Sequence, residues 1–410
     1  MGQAAKQCTI DVAETLNGVR AMSQVNDLSY SPTAFDQDST LIAVIELSLK
    51  NWLVAGLVPG LARRPLKKLA ADRDALLRLL ERWRTEAEKA GKVIKRVAVA
   101  FEAGRDGFWL ARWLRRQGIE AYVIHAASIA MPRQHRRAKS DRLDTESLTR
   151  GFLGWLRGEK RHCQMCHVPS LEEEDARRPG RERDRLTREQ TRLVNRIKAL
   201  LSWLGISGFN AKLRGAEDRL AQLRTPEGLP LPENTAAELR HYVERLQLVR
   251  QQIKEIERQR AARLAAEPNQ PNQPNQAIKL LQQIVGIGPE TADTLTNEVL
   301  LRPLRDRRAV ARYGGLTGAP DESGSKRREK GLARAGNLRV RHTMVQLAWR
   351  WLMFQKDSAL ACWFFQRTQN ASPLVRKKMI VALARKLLIA LWRYVTTGEI
   401  PQGVALRPAV

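Results

Sequence analysis

Five consecutive apolar residues, Leu41-Ile42-Ala43-Val44-Ile45, run straight into Glu46 and Leu47. An apolar run this short predicts a buried strand. A polar turn and Trp52-Leu53-Val54-Ala55-Gly56-Leu57 predict its antiparallel partner. Arg96 to Phe101 forms a second apolar strand that closes on Glu102, and Ile119 to His125 a third. Between them, residues 65–90 carry Leu66, Leu69, Leu76, Leu77, Leu80 and Trp83 at helical spacing. A second helix carries Phe108, Leu110, Trp113 and Leu114 and ends at Gly118. Strands alternating with helices predict an α/β domain over residues 41–155. Residues 1–40, polar and aperiodic, are expected to form a flexible extension.

The pattern then changes. Leu186, Leu193, Ile197, Leu200 and Leu204 step by sevens, fours and threes, and after a Gly/Pro-rich break the stepping resumes at Leu239, Leu246, Val249, Ile253 and Ile256. Two long amphipathic helices with charged outer faces predict a helical coiled-coil hairpin over residues 170–266. It is either a packed spacer or a dimerisation arm. The tract Pro268-Asn269-Gln270, repeated twice more to Gln276, breaks helices and predicts a linker over 267–277. Beyond it, residues 278–400 are expected to form a basic, all-α C-terminal domain ending in an apolar helix around Met379 to Tyr394.

Charge narrows the partners. Of 410 residues, 71 are Lys or Arg and 43 Asp or Glu, a net charge of +28. Such an excess releases condensed counterions from a phosphate backbone and gives salt-sensitive affinity for nucleic acid. No signal peptide, lipidation motif or apolar run of transmembrane length stands in the chain, so a nucleic acid is expected rather than a membrane, in the cytoplasm. Cys8, Cys163, Cys166 and Cys362 are too few and scattered for a disulfide framework. Cys163-Gln164-Met165-Cys166-His167 spells C-x-x-C-H, but no second Cys/His pair follows at zinc spacing, and the string is read as a loop.

Four carboxylates stand out. Glu46 ends the first strand, Glu102 ends a later one, and Asp141 and Asp144 lie three apart in Lys139-Ser140-Asp141-Arg142-Leu143-Asp144, on one face if that segment is helical. RNase H-like nucleases project carboxylates from strand ends and one helix to hold Mg2+ ions astride a phosphate, and Mg2+ prefers such oxygen ligands. A carboxylate beside a buried strand is costly without a partner or metal, which makes Glu46 the informative member. Asp11 is a rival for its place, but no strand-turn-strand follows it. Arg133, Arg136, Arg137, Lys139 and Arg142 would draw in a nucleic-acid backbone.

These segments resemble the DEDD insertion-sequence transposases of the one-ten group, a family of bridge-RNA-guided serine recombinases. The likeness is carried by Ile42 to Glu46 with Lys50-Asn51-Trp52, by Phe101-Glu102-Ala103-Gly104, and by Lys139 to Asp144. It continues in order through Ile284-Val285-Gly286-Ile287-Gly288-Pro289-Glu290-Thr291-Ala292, Tyr313-Gly314-Gly315-Leu316, Ser323-Gly324, Ala335-Gly336-Asn337 and Ala384 to Leu388, and spans residues 41 to 400. The family generally has Asp where this chain has Glu46. The resemblance implies a RuvC-like N-terminal domain and a C-terminal serine transposase domain with a helix-hairpin-helix. It implies Mg2+ on Glu46, Glu102, Asp141 and Asp144, with Ser323 as the nucleophile that forms a phosphoserine-DNA intermediate, and Ser325 as its alternate. On the residues alone, Ser323-Gly324-Ser325 reads as a flexible loop. A serine hydroxyl needs an activated proton acceptor and a polarised phosphate, which metal held by the quartet would supply if the two domains meet across subunits. It further implies donor and target DNA, a structured guide RNA, and homodimers assembling into tetramers on the bacterial nucleoid.

Gly286 and Gly288 suit a hairpin whose N–H groups approach a phosphate closely, or equally an ordinary tight helix-helix turn. The stretch from Lys326, Arg327 and Arg328 through Asn337 to Arg341 is expected to line nucleic acid. Three functions stay open on the residues alone: a transposase, a structure-specific junction endonuclease with water as nucleophile, and a non-catalytic nucleic-acid-binding protein.

Overall fold

A computed structural model describes residues 31, 34–102, 104, 107–129, 141–159, 162–266, 274–323, 326–333 and 335–408. The expected N-terminal extension up to residue 30, Asp11, Lys139, most of the Pro-Asn-Gln tract, Gly324 and Ser325 lie outside the described residues. The described residues divide into two compact units, one up to residue 172 and the other from residue 173 onward.

The first unit is a mixed sheet between helices. Its strands are β1 (Thr40–Leu47), β2 (Asn51–Leu57), β3 (Leu66–Ala70), β4 (Arg96–Glu102), β5 (Glu120–Ile124) and β6 (Met165–Cys166). They lie in the order β3-β2-β1-β4-β5-β6. β1 pairs antiparallel with β2 and parallel with β4, and β4 parallel with β5. Because strand side chains alternate, Leu41, Ala43 and Ile45 pack on one face with α1 (Arg73–Lys89) and α2 (Trp109–Arg116). Ile42 and Val44 pack on the other face with α3 (Asp141–Leu156), beside Leu148, Phe152 and Trp155. Burying each of these large apolar side chains contributes about 2–3 kcal/mol.

Local chemistry sets the boundaries. Asp72 caps α1 by accepting from the N–H groups of Asp74 and Ala75. Trp83 of α1 packs where Gly56 of β2 has no Cβ; a methyl there would sit 2.7 Å from its ring. At the amino ends of the strands, Arg96 donates to both oxygens of Glu120 at 2.9 and 2.7 Å, fastening β5 to β4.

One expectation fails here. Leu66 and Leu69 belong not to a helix but to β3, paired with β2. In Leu66-Lys67-Lys68-Leu69-Ala70 the leucines stand three apart, which imitates a helical stripe, while the edge strand leaves both lysines exposed. Charged residues on an edge discourage further strand pairing.

The second unit is mostly helical. α4 (Arg178–Trp203) and α6 (Glu233–Ala266) pack along each other, with α5 (Ala216–Ala221) closing the tip. Leu193, Ile197 and Leu201 of α4 meet Leu239, Val243, Leu246 and Val249 of α6, the seam that the spacing anticipates. α7 (Pro274–Gln283) begins inside the last Pro-Asn-Gln repeat, since proline is well placed in a first helical turn. A turn through Ile284 to Gly288 leads into α8 (Pro289–Leu295), which runs on as a π-helical turn over Thr296–Leu300. α9 (Arg307–Tyr313), α10 (Leu338–Phe354), α11 (Ala359–Thr368) and α12 (Pro373–Thr397) complete one apolar core around Leu347, Trp351 and Leu387.

This region is not all-α. β7 (Gly318–Ser323) and β8 (Lys326–Leu332) form an antiparallel hairpin between α9 and α10. Its sequence is a run of charges without apolar alternation, so no period of two betrays the strands.

Candidate active site

The carboxylates of the first unit share one face. The parallel register of β1 and β4 runs to Ile45 opposite Phe101, and Glu46 and Glu102 are the next residue on each strand. Glu46 continues the parity of Ile42 and Val44, and Glu102 that of Ala98 and Ala100, all four of which pack on the α3 side. Both glutamates therefore leave the carboxyl ends of adjacent strands on the side that α3 covers. They are half-buried, and Oε2 of Glu46 is withdrawn from solvent.

Helix α3 completes the arrangement. Asp144 stands one turn before the buried Leu148 and is itself half-buried, so it points along the sheet-facing stripe. Asp141 begins the same helix, a turn earlier. The rings of Phe152 and Trp155 lie 5.6 and 4.9 Å from Tyr122, in the middle of β5. Tyr122 itself leans to the amino ends, its hydroxyl on Glu120. The acidic start of α3 accordingly extends toward the carboxyl ends, where Glu46 and Glu102 emerge. Arg142 is exposed on this first turn. Among the described residues, no three Asp, Glu, His or Cys side chains converge closely enough to hold a metal ion; the side chain of Asp141 is not among those described.

The C-x-x-C-H string is a strand and its approach. Cys163 is buried, its thiol donating to the Gly151 carbonyl at 3.2 Å, and Cys166 pairs with Val123 of β5. Burial pushes the Cys163 thiol up to about 12, so it stays protonated and inert.

In the second unit, Ser323 is the last residue of β7 and stands in register opposite Lys326. The same register sets Glu322 across from Arg327 and Asp321 across from Arg328. The base of this hairpin is closed by two glycine-bearing segments. The Asn337 N–H donates to the Tyr313 carbonyl at 2.7 Å, and that of Ala333 to Thr317 at 2.9 Å. Arg341 packs against Gly315, where a Cβ would lie 3.0 Å from its Nε.

Asn337 is held from both ends. Its Oδ1 caps α10 by accepting from Arg339 and Val340 N–H, and its Nδ2 donates to Glu298 at 3.0 Å. Glu298, buried in the π-turn, also receives two bonds from Arg181 at 2.8 and 3.0 Å, and Arg339 lies 3.6 Å away. Burial alone would raise its carboxyl, but Arg181, then Asn337 and Arg339, hold it below its ordinary value. Sequence reading missed this network, because charged residues at helical spacing look like a solvated face. The one hint is Glu298 immediately before the apolar run Val299-Leu300-Leu301.

Gly286, at φ +94°, and Gly288, the residue capping α8, form the turn between α7 and α8. The turn is tied to the C-terminal segment. Val285 N–H donates to Ala405, and Gln355 Nε2 donates to both Val285 and Ala405 carbonyls at 2.8 and 2.9 Å.

Comparison with known proteins places these features in a family. Residues 278–362 match the model of the IS116/IS110/IS902 transposase family, a span that takes in the Gly286–Gly288 turn, the β7–β8 hairpin and Asn337. The protein y4rJ of Sinorhizobium fredii, designated a transposase, is 43% identical over 395 residues, covering 94% of this chain and 100% of the relative. A protein of Pseudomonas aeruginosa designated a family 20 transposase is 27% identical over 251 residues, 60% of this chain and 69% of its own length. With identity that high along the whole of y4rJ, the chain belongs to the IS116/IS110/IS902 family of transposases, whose substrate is DNA.

Proposed function

We propose that the chain excises and inserts an insertion sequence by a serine-nucleophile mechanism assisted by Mg2+ on an RNase H-like (RuvC-like) sheet. The observation that carries this reading is the shared face of Glu46 and Glu102 on adjacent parallel strands, with Asp144 on the helix covering that face. The donors fit the metal in kind: all are carboxylate oxygens, which suit a hard divalent cation, and Glu46 Oε2 is withdrawn from water, where a bound cation would offset the cost of burying its charge. Glu46, Glu102, Asp141 and Asp144 would hold it, and bound there it would polarise a phosphate. Glutamate in place of the family's usual aspartate lengthens one ligand by a methylene.

Ser323 is the proposed nucleophile. Its Oγ bonds to phosphorus as a strand P–O bond breaks; the seryl proton leaves to a base and the departing DNA oxygen ends as a hydroxyl. Reversal of the step on a new strand end rejoins DNA. Lys326, opposite Ser323, and Arg327 and Arg328 beside it would offset phosphate charge, with Arg142, Lys139, Arg341 and the Gly286–Gly288 turn along the nucleic acid. Donor and target would be read through a structured guide RNA, by a homodimer pairing into a tetramer. No helix among the described residues is long and apolar enough to cross a membrane.

The test is Ser323→Ala with an end-labelled donor DNA. The wild-type chain is expected to form a denaturant-resistant protein–DNA adduct in Mg2+, and the variant to form none. Cleavage that persists undiminished in Ser323→Ala, with no adduct in the wild type, would assign the chemistry to water and make this a metal-dependent junction endonuclease.

A further inference from the structure

Along α4, arginines recur at positions 178, 181, 185, 188, 192 and 196, in steps of three and four. At 100° per residue they occupy one sector of the helix, about 80° wide and about 27 Å long. The opposite side holds Leu193, Ile197 and Leu201 in the hairpin core, so the stripe faces away from that core.

Like charges three and four residues apart repel, and a stripe of this kind costs helix stability unless acids offset it. Of the three acids of α4, Glu182 lies outside that sector and the other two are engaged elsewhere. Asp184 pairs with Arg339 at 2.9 Å and Glu189 with Arg245 at 3.5 Å. Of the stripe, Arg181 is bound to Glu298 and Arg196 lies over the Tyr242 ring at 5.6 Å. Arg185, Arg188 and Arg192, at its centre, are exposed and pair with no carboxylate among the described residues. Tertiary contacts thus withdraw Asp184 and Glu189 from the face where the arginines gather.

We propose that this stripe is a track for the phosphate backbone of double-helical DNA, a binding surface outside both the carboxylate face and the β7–β8 hairpin. It rests on DNA being the substrate, and not on the metal or on Ser323. Arginine's planar fork suits phosphate oxygens, and a straight helix lined on one side meets successive phosphates without reading sequence.

The experiment is salt-dependent binding of a non-specific DNA duplex to the full chain, which requires no cleavage and so fails or succeeds independently of the proposed chemistry. The R185Q/R188Q/R192Q variant is expected to show a log K against log salt slope shallower by about 2 to 3, and affinity at about 100 mM salt reduced about tenfold or more. R188Q alone should lessen the slope by about 1, and serves if the triple variant folds poorly. R185K/R188K/R192K should keep the slope. An unchanged slope in both glutamine variants would overturn the proposal. So would an equal change in the charge-matched variant R64Q/K67Q/K68Q on the other unit, or loss of binding to a structured RNA hairpin with duplex DNA binding intact.

Discussion

Gly315 and Gly336 lie backbone against backbone: a Cβ on Gly336 would stand 2.5 Å from the Gly315 Cα and 2.8 Å from the Arg312 carbonyl. Both have positive φ, +65° and +99°. Tyr313-Gly314-Gly315-Leu316 and Ala335-Gly336-Asn337, whose glycines 315 and 336 stand 21 residues apart in sequence, are therefore one joint. It sets where the β7–β8 hairpin leaves the helical core, and with it the position of Ser323.

Replacing Gly336 by alanine combines left-handed strain with direct backbone overlap. The expected cost is about 3 kcal/mol, read as a lower thermal midpoint and faster proteolysis within residues 318–332. Gly331→Ala is the control, since Gly331 has φ +91° but open space around its would-be Cβ. It should cost only about 1 kcal/mol. Equal effects at the two positions would show that overlap at the joint is unimportant.

The Glu298 network predicts acid sensitivity. Its carboxyl is held low in the folded chain, after burial has been outweighed by Arg181 and its companions. A depressed carboxyl stabilises the fold above its unfolded value, and that contribution is lost as pH falls through the folded value. Stability should therefore decline below about pH 4. Glu298→Gln leaves Arg181 without its charge partner, while Arg339 keeps Asp184, and should cost about 3 kcal/mol near neutral pH. The same variant should flatten the acid limb of the stability curve. A variant whose acid limb matches the wild type would remove Glu298 from this account.

How much of this could be read beforehand depends on what pays back the folding of each segment. β1, β2, β4 and β5 were legible because burial on a sheet writes continuous apolar runs, and Glu46 and Glu102 were legible because they interrupt or end such runs. The seam of α4 and α6 was equally plain in its stepping. β3 was not, because Leu66 and Leu69 at an exposed edge obey no strand period. Nor was the β7–β8 hairpin, where Asp321 and Glu322 stand in register with Arg328 and Arg327 and no apolar alternation marks a face. Glu298, Arg181 and Arg339 pair across long sequence separations, which no local spacing encodes.

For the carboxylates, Glu102→Gln keeps the side-chain shape and removes a charge from a face shared with Glu46. DNA strand cleavage is expected to fall by about a hundredfold or more, with DNA binding retained. Glu46→Asp keeps a carboxylate and should keep measurable cleavage, whereas Glu46→Gln should not. Full cleavage by Glu102→Gln in Mg2+ would dissociate this face from the chemistry.

Cys163 offers a test that needs no substrate. The thiolate is the reactive form, and burial holds this thiol near 12 while its hydrogen is donated to Gly151. Cys362 is exposed on α11. Under native conditions at about pH 8, an alkylating reagent should modify Cys362 rapidly and leave Cys163 intact until the chain is unfolded, with peptide mass analysis assigning each site. Because Cys163 packs with Phe152 and Met165 beneath the sheet, its labelling rate also reports on the opening of the layer that carries α3. Divalent cation bound by the proposed carboxylates would tie α3 to β1 and β4, so Mg2+ should slow that labelling further. A Cys163 rate that is native-state fast, or indifferent to Mg2+ at saturating concentration, would contradict either the burial of the thiol or the bridging of α3 to the strands, and the two outcomes are told apart by the metal-free rate alone.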